Sequence, residues 1–227
     1  MKKVIVFGTG QMGELLATYL SEDYGKAIAA FTVDREYKMG ENFCGRPVLA
    51  FEELPGYYAP SDYDVIIAVG YANINRTRHE KMVTCEKMGY SLLSYVSPRA
   101  ITPLGFLPEP NVIIFEAATV QRFAAIGAGS IIWSNAFIGH HAVLREAVFV
   151  GPNASVCGGS HIGQRCLIGS GAVVRDYLRV GADTVVGAGS TLLRDLPEWA
   201  ICNAGESPVS PDKVRHMQPW PPKTQRS

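Results

Sequence analysis

The sequence predicts two parts in series, a small α/β domain followed by a parallel β-solenoid. Two observations carry that prediction. Within the first 34 residues a strand, a glycine-rich turn, a helix and a second strand ending in an acidic residue follow one another. From Ile114 an aliphatic residue then recurs at every sixth position, for fourteen hexads without insertion, to Pro197. The 227 residues suffice for one large domain or two small ones, and 47% apolar content provides for a packed core rather than disorder.

The first element is the apolar run Val4 to Phe7, which leads into Gly8-Thr9-Gly10-Gln11-Met12-Gly13. Met12, Leu15, Leu16, Tyr19 and Leu20 then recur at helical spacing, and Ala27 to Val33 reads as a strand ending at Asp34. This is a G-x-G-x-x-G in its strand–turn–helix context, with the acidic residue at the expected distance. Gly8, Gly10, Gln11 and Gly13 are candidates for cradling a pyrophosphate at the helix N-terminus, and Asp34 for accepting a hydrogen bond from a hydroxyl or a base edge. The alternative is a structural glycine turn, and the motif leaves open which pyrophosphate is bound. Val65 to Val69, ending in Gly70, reads as a further strand, followed by a charged helix from about Asn75 to Met88 and a strand near Leu92 to Val96. Residues 1–96 thus form a Rossmann-like domain of about four parallel strands, too small for the full six-stranded dinucleotide fold.

Residues 97–113, with Pro98, Pro103, Pro108 and Pro110, read as a stiff connector. Residues 114–197 carry the period of six. Neither 3.6 nor 2 explains it; a prism of short flat strands and corners does. Each hexad turns its aliphatic inward, together with a small residue four places on, and a glycine often follows the aliphatic and relieves crowding at the bend. Three hexads close one coil, so residues 18 apart stack about 4.8 Å apart. Read in that step, Ile131, Phe149, Leu167 and Val185 make an apolar stripe on the outside. A subunit contact is expected there, with cover by the chain's own N-terminal segment or tail as the alternative. Residues 198–227 form a proline-rich tail expected to fray beyond about Met217.

Charge and cysteine usage narrow the class. Lysine plus arginine equals aspartate plus glutamate at 21 each, without basic runs, which argues against a nucleic-acid partner. No run is long enough to span a membrane, and the four apolar residues after Lys2-Lys3 are too few for a signal peptide. Five scattered cysteines without a C-x-x-C pair argue for reduced thiols in a cytoplasmic protein and against a zinc cage, so no metal is expected.

The candidate chemistry lies at His140 and His141. Adding 18 gives Gly158 and Gly159, so a histidine pair lies over a glycine pair one coil away. An imidazole can take a proton from an incoming nucleophile, and N–H groups bared by glycine can hold the oxyanion of an acyl-transfer intermediate. His161 lies farther along the chain and is read as structural or as an interface residue.

The period, with these histidines, resembles the left-handed parallel β-helix of the hexapeptide-repeat acyltransferases. The whole chain resembles the sialic acid O-acetyltransferase and bacillosamine-type nucleotide-amino-sugar N-acetyltransferase group. The likeness is carried by Gly8 to Gly13, Ala68-Val69-Gly70 with Asn73, Ser97-Pro98-Arg99-Ala100 and Ala142-Val143 after the histidines. It implies a homotrimer, an N-terminal domain holding a nucleotide-sugar through residues including Gly70 and Asn73, and acetyl-CoA between the coils of adjacent subunits. It further implies His140 as the catalytic base, Gly158 and Gly159 near the acetyl carbonyl, and a nucleotide-linked amino sugar as acceptor for surface-glycan biosynthesis. The chain departs from the family at His141, usually acidic or asparagine, at Phe149, usually histidine, and at Trp133, usually asparagine. An O-acetyltransferase of the same fold, a non-catalytic nucleotide-sugar scaffold and an NAD-dependent oxidoreductase are the rival readings.

Overall fold

The computed structural model describes residues 2–204; Pro208 to Pro222 and the fraying expected beyond Met217 lie outside them. The N-terminal part contains β1 (Lys3–Phe7), α1 (Gln11–Tyr24), β2 (Ile28–Val33), β3 (Asn42–Phe43), β4 (Arg46–Ala50), α2 (Leu54–Tyr57), β5 (Tyr63–Ile67), α3 (Arg76–Lys87) and β6 (Ser91–Leu92). They build one sheet in the order β3-β4-β2-β1-β5-β6. Five of its strands are parallel, and β3 adds an antiparallel edge to β4. The strand count is therefore higher than the four or so expected. The β3–β4 hairpin escaped because its two-residue arm carries no alternation, and its turn is made by Cys44 and Gly45 in left-handed conformation. Central β1 is apolar throughout after Lys3, as a parallel strand covered on both faces must be. α1 buries Leu16 and Leu20 and stops at Gly25, which adopts φ 59° while its N–H and that of Lys26 satisfy the last carbonyls.

The run read as one strand from Leu92 to Val96 is divided. Ser91–Leu92 extends the α/β sheet, whereas Tyr95–Val96 pairs with Ile113–Ile114 in the solenoid. Ile101 likewise bridges Thr119, so the stretch expected as a connector already runs as a coil in the 18-residue step. The period was invisible there because Thr102 and Pro108 stand at the inward places. At the far end Ile201–Cys202 pairs with Val185–Val186 and adds a strand within the segment expected as tail.

From Ile113 to Leu192 the chain is a parallel β-helix with three sheets, each strand registered on the one 18 residues earlier. All fourteen hexad aliphatics from Ile114 to Leu192 are at most 5% exposed and form one core with the small residues between them. The corners divide two tasks between two positions. From Ala117 to Gly189 every sixth residue is left-handed, with φ between 55° and 70°, and asparagine, aspartate, alanine and even aromatic residues accept it alongside glycine. The glycine that follows the aliphatic serves close approach instead. A Cβ at Gly139 would lie 2.5 Å from the Gly158 nitrogen, and one at Gly169 2.4 Å from that of Ala188.

Half of the apolar stripe is buried within the chain itself. Ile131 and Phe149 are buried in a cluster with Val4, Leu16, Phe31 and Tyr95, with Met12, Leu15 and Leu167 packed at its margin. Tyr71 meets Phe149 edge-on, with centroids 5.1 Å apart. The chain's own α/β domain covers Ile131 and Phe149 and reaches Leu167, taking the place of the subunit contact expected there. A single exposed face looks alike in sequence whichever apolar surface comes to rest on it.

Candidate active site

The prism has three corners, and the histidines occupy the one between strands Phe137–Ile138 and Val143–Leu144. In steps of 18 this corner stacks Arg122-Phe123, His140-His141, Gly158-Gly159 and Asp176-Tyr177. Both histidines are exposed. The His140 N–H donates to Gln121 Oε1 at 2.9 Å, and its carbonyl accepts the Gly159 N–H at 2.8 Å, so the backbone carrying the imidazole is held at both ends. The ring lies across Gly158. A Cβ there would stand 2.8, 2.9 and 3.2 Å from His140 Cε1, Nε2 and Nδ1, so only glycine leaves the ring its place.

The two glycines differ. The Gly158 N–H donates to no acceptor among the described residues, while that of Gly159 is engaged by His140. Gly159 is therefore not the free N–H expected of it, whereas that of Gly158 is unengaged among the described residues. What Gly159 supplies is a left-handed turn, φ 67°, and room for the Tyr177 ring, whose atoms come within 2.5 Å of where a Cβ would sit.

His140 Nδ1 and His141 Nδ1 are 3.2 Å apart. One must donate and the other accept. For His140 Nε2 to be the free lone pair, its Nδ1–H must donate, and His141 must carry its proton on Nε2. His141 then does for the tautomer what a carboxylate does elsewhere. The Phe123 ring, 4.8 Å from that of His141, holds it in place. Beside His140 opens a cleft of about 520 Å³, lined among others by Ile101, Leu104, Gln121 and Arg122. His161 is apart from this corner, on a strand between Val143 and Arg179.

The glycine turn follows the division of labour its motif requires. Gly8 has φ 120° and a Cβ there would strike the Ala68 carbonyl at 2.9 Å; at Gly13 it would meet the Gly8 carbonyl at 2.1 Å, which fixes α1 against β1. At Gly10 it would meet nothing within 4 Å, leaving that backbone open. Gln11 begins α1, and Gly70 follows β5 at the neighbouring strand end, so both stand where the chain order reverses about β1. Gln11, Met12, Gly70 and Tyr71 line one cavity of about 410 Å³ with Trp133 and Phe149 of the solenoid. Asn73 is exposed in the next loop and does not line it. Asp34 is not free: Lys81 of α3 forms an ion pair with it while lying over the Phe7 and Phe51 rings.

The cavity and His140 lie on opposite sides of the prism. The α/β domain rests on the face of Ile131 and Phe149 and on the corner of Gly129, Ala147, Arg165 and Asp183, where Arg78, Asn75 and Arg76 of its own bind. His140 stands on the corner across from that face.

Comparison with known proteins bears on both halves. The bacterial transferase hexapeptide (six repeats) family matches residues 141–176. No curated protein matches the chain in sequence. Among solved structures, perosamine N-acetyltransferase from Caulobacter crescentus, in complex with CoA and GDP-perosamine, is 26% identical with a TM-score of 0.80, over 88% of this chain and 93% of the other. The acetyltransferase domain of PglB from Neisseria gonorrhoeae is 25% identical with a TM-score of 0.77, over 88% and 96%. The chain carries hexapeptide repeats, and these likenesses make it an acyltransferase. WeeI from Acinetobacter baumannii, at 20% identity and a TM-score of 0.75 over 88% and 96%, shares the fold. In this acyltransferase the sequence pointed to His140 and Gly158 but passed over Gln121, Phe123 and Tyr177 around them. The 18-residue step that located the glycines would have found Phe123 and Tyr177 too, had it been carried one coil further each way.

Proposed function

We propose that the chain transfers an acetyl group from acetyl-CoA to the free amine of a nucleotide-linked amino sugar, in the cytoplasm, for surface-glycan assembly. The observation that carries this reading is the His140 imidazole lying over Gly158, whose N–H has no acceptor among the described residues. The amine nitrogen attacks the thioester carbonyl and His140 Nε2 takes its proton. The Gly158 N–H donates to the oxyanion, the C–S bond breaks, and the thiolate recovers the proton as CoA-SH. His141 orients the base.

The Rossmann-like part, from Lys3 to Leu92, holds the nucleotide through Gly8, Gly10, Gln11, Gly13 and Gly70. The parallel order β4-β2-β1-β5-β6, the open backbone at Gly10 and the nucleotide-sugar bound by the Caulobacter enzyme support this. The CoA of that enzyme and the acetyl coenzyme A complex of the Neisseria domain support the donor. Because cavity and base face opposite ways, a complete site combines the nucleotide domain of one copy with His140 of another, which favours a homotrimer closed around the solenoids.

Thiol release from acetyl-CoA, measured against a panel of UDP-, GDP- and dTDP-linked amino sugars and their hydroxyl counterparts, tests the reading. Turnover with an amino sugar and none with the hydroxyl sugars is expected. Turnover with hydroxyl acceptors alone makes the chain an O-acetyltransferase, and none with any acceptor removes the acetyl-transfer reading.

A further inference from the structure

Arg78, in the first turn of α3, is 0% exposed, and its guanidinium is bound by carbonyls alone. Nε donates to the Gly129 carbonyl at 2.7 Å and Nη2 to that of Ala147 at 2.9 Å, both at solenoid corners. Nη1 donates to the Val69 carbonyl at 3.1 Å and also to that of Gly70. Buried arginine is rare unless paired, yet among the described residues no carboxylate faces this one. Burial pushes the guanidinium down to about 9, so it still carries its charge at neutral pH.

The grip on Val69 and Gly70 has a geometric consequence. In a trans peptide the C=O and the following N–H point in opposite directions. With both carbonyls turned to Arg78, the N–H groups of Gly70 and Tyr71 point away from it, and neither donates to an acceptor among the described residues. Gly70 and Tyr71 line the same cavity as Gln11 and Met12, whose N–H groups open α1 and are also without an acceptor there. The Trp133 indole N–H beside them is buried and unpartnered. Donors from three segments, backed by a buried guanidinium without a carboxylate partner, suit an anionic ligand.

We propose that Arg78 is the positioning residue of the nucleotide site: its hold on the Val69 and Gly70 carbonyls presents the Gly70 and Tyr71 N–H groups to the pyrophosphate, opposite the α1 N-terminus. The proposal rests on the nucleotide-sugar reading above and adds a residue outside the glycine motif. Lysine at this place keeps a cation but cannot span four carbonyls, so it frees the loop without removing the charge.

The test is calorimetry on the full chain with UDP, GDP and dTDP as probes, and separately with acetyl-CoA. For Arg78→Lys, the Kd of whichever nucleoside diphosphate the unsubstituted chain binds rises at least tenfold, while the Kd of acetyl-CoA changes less than twofold. Gly70→Pro, which deletes one outward N–H and leaves both carbonyls to Arg78, weakens nucleotide binding in the same sense; a Cβ at Gly70 meets nothing within 4 Å. An unchanged nucleotide affinity in folded Arg78→Lys, or equal losses for nucleotide and acetyl-CoA, overturns the proposal. Should Arg78→Lys fail to fold, unchanged nucleotide affinity in Gly70→Pro overturns it. An unsubstituted chain that binds none of the three diphosphates overturns the nucleotide-sugar reading itself, a different outcome from binding that Arg78→Lys leaves intact.

Discussion

Two corners of the same prism share a backbone and differ in everything laid upon it. At one, His141 is left-handed at φ 57° and the side chains are open to solvent; at the other, Ala147 has φ 55° and Arg165 57°, and α3 lies over them. At the covered corner the polar side chains are engaged within the chain. Arg165 grips both oxygens of Asp183 at 2.8 and 2.7 Å, Arg76 adds a bond at 3.0 Å, and Asn75 Nδ2 reaches the carbonyls of Arg165 and Cys166. The open corner holds two imidazoles whose Nε2 atoms are free for a substrate. The repeat supplies equivalent corners; the contact with the α/β domain decides which become architecture and which remain available for chemistry.

Substitutions at the two corners should therefore fail in different ways. The largest effect is expected at the open one. His140→Ala should lower turnover by about 10²–10⁴ while circular dichroism and melting stay as they were, because the His140 side chain is exposed. His141→Ala, which loses only the orienting partner, and His161→Ala should cost less. Near-normal turnover in His140→Ala would remove it from the mechanism.

On the covered face, Phe149→Ala should lower unfolding free energy by about 3–5 kcal/mol in denaturant titration, since Phe149 is 5% exposed between the two domains. If the stripe were instead a subunit contact, the same change would dissociate the assembly in light scattering with little loss of monomer stability.

Asp183→Asn should cost about 1–3 kcal/mol at neutral pH, less than a fully buried pair because Arg76 retains 34% exposure. The hydrogen bonds from Arg165 hold the Asp183 carboxyl below its ordinary 3.8 against the opposing pull of burial, with Arg76 helping. A depressed carboxylate contributes its stability above the unfolded value and loses it as pH falls through the folded one. Stability of the unsubstituted chain should hold to about pH 4 and drop below it, and the gap to Asp183→Asn should close in that same range. A gap that stays constant down to pH 2 would place the effect elsewhere.

The smallest effect concerns thiols. Burial pushes Cys85 and Cys166 up to about 12, whereas Cys44 is exposed in the hairpin turn. A maleimide at pH 8 should label Cys44 in the native protein and reach Cys85 and Cys166 only after denaturation, as peptide mapping would show.

Much of this fold could be read before any coordinates, for a reason visible in particular residues. Ile138, Val156 and Val174 each recur at the same inward place because each coil rests on the previous one, so a long-range contact is written as a short repeat. The histidine-over-glycine stack at His140 and Gly158 was legible on the same ground. The coil from Tyr95 to Val112 was not, since Thr102 and Pro108 interrupt the repeat where the 18-residue register continues.

The sequence by itself determined the solenoid, its register, the glycine turn before α1 and the pairing of His140 with Gly158, all of them relations at a fixed separation along the chain. Only the tertiary structure decided that the α/β domain lies on Ile131 and Phe149, that Gly159 is engaged by His140 and leaves Gly158 the free donor, that Asp34 pairs with Lys81, and that Arg78 joins the Gly70 loop to Gly129 and Ala147. Those contacts link segments with no period in common. They depend on where two surfaces meet in space, and a single chain of residue types carries no fixed spacing from which that meeting could be read.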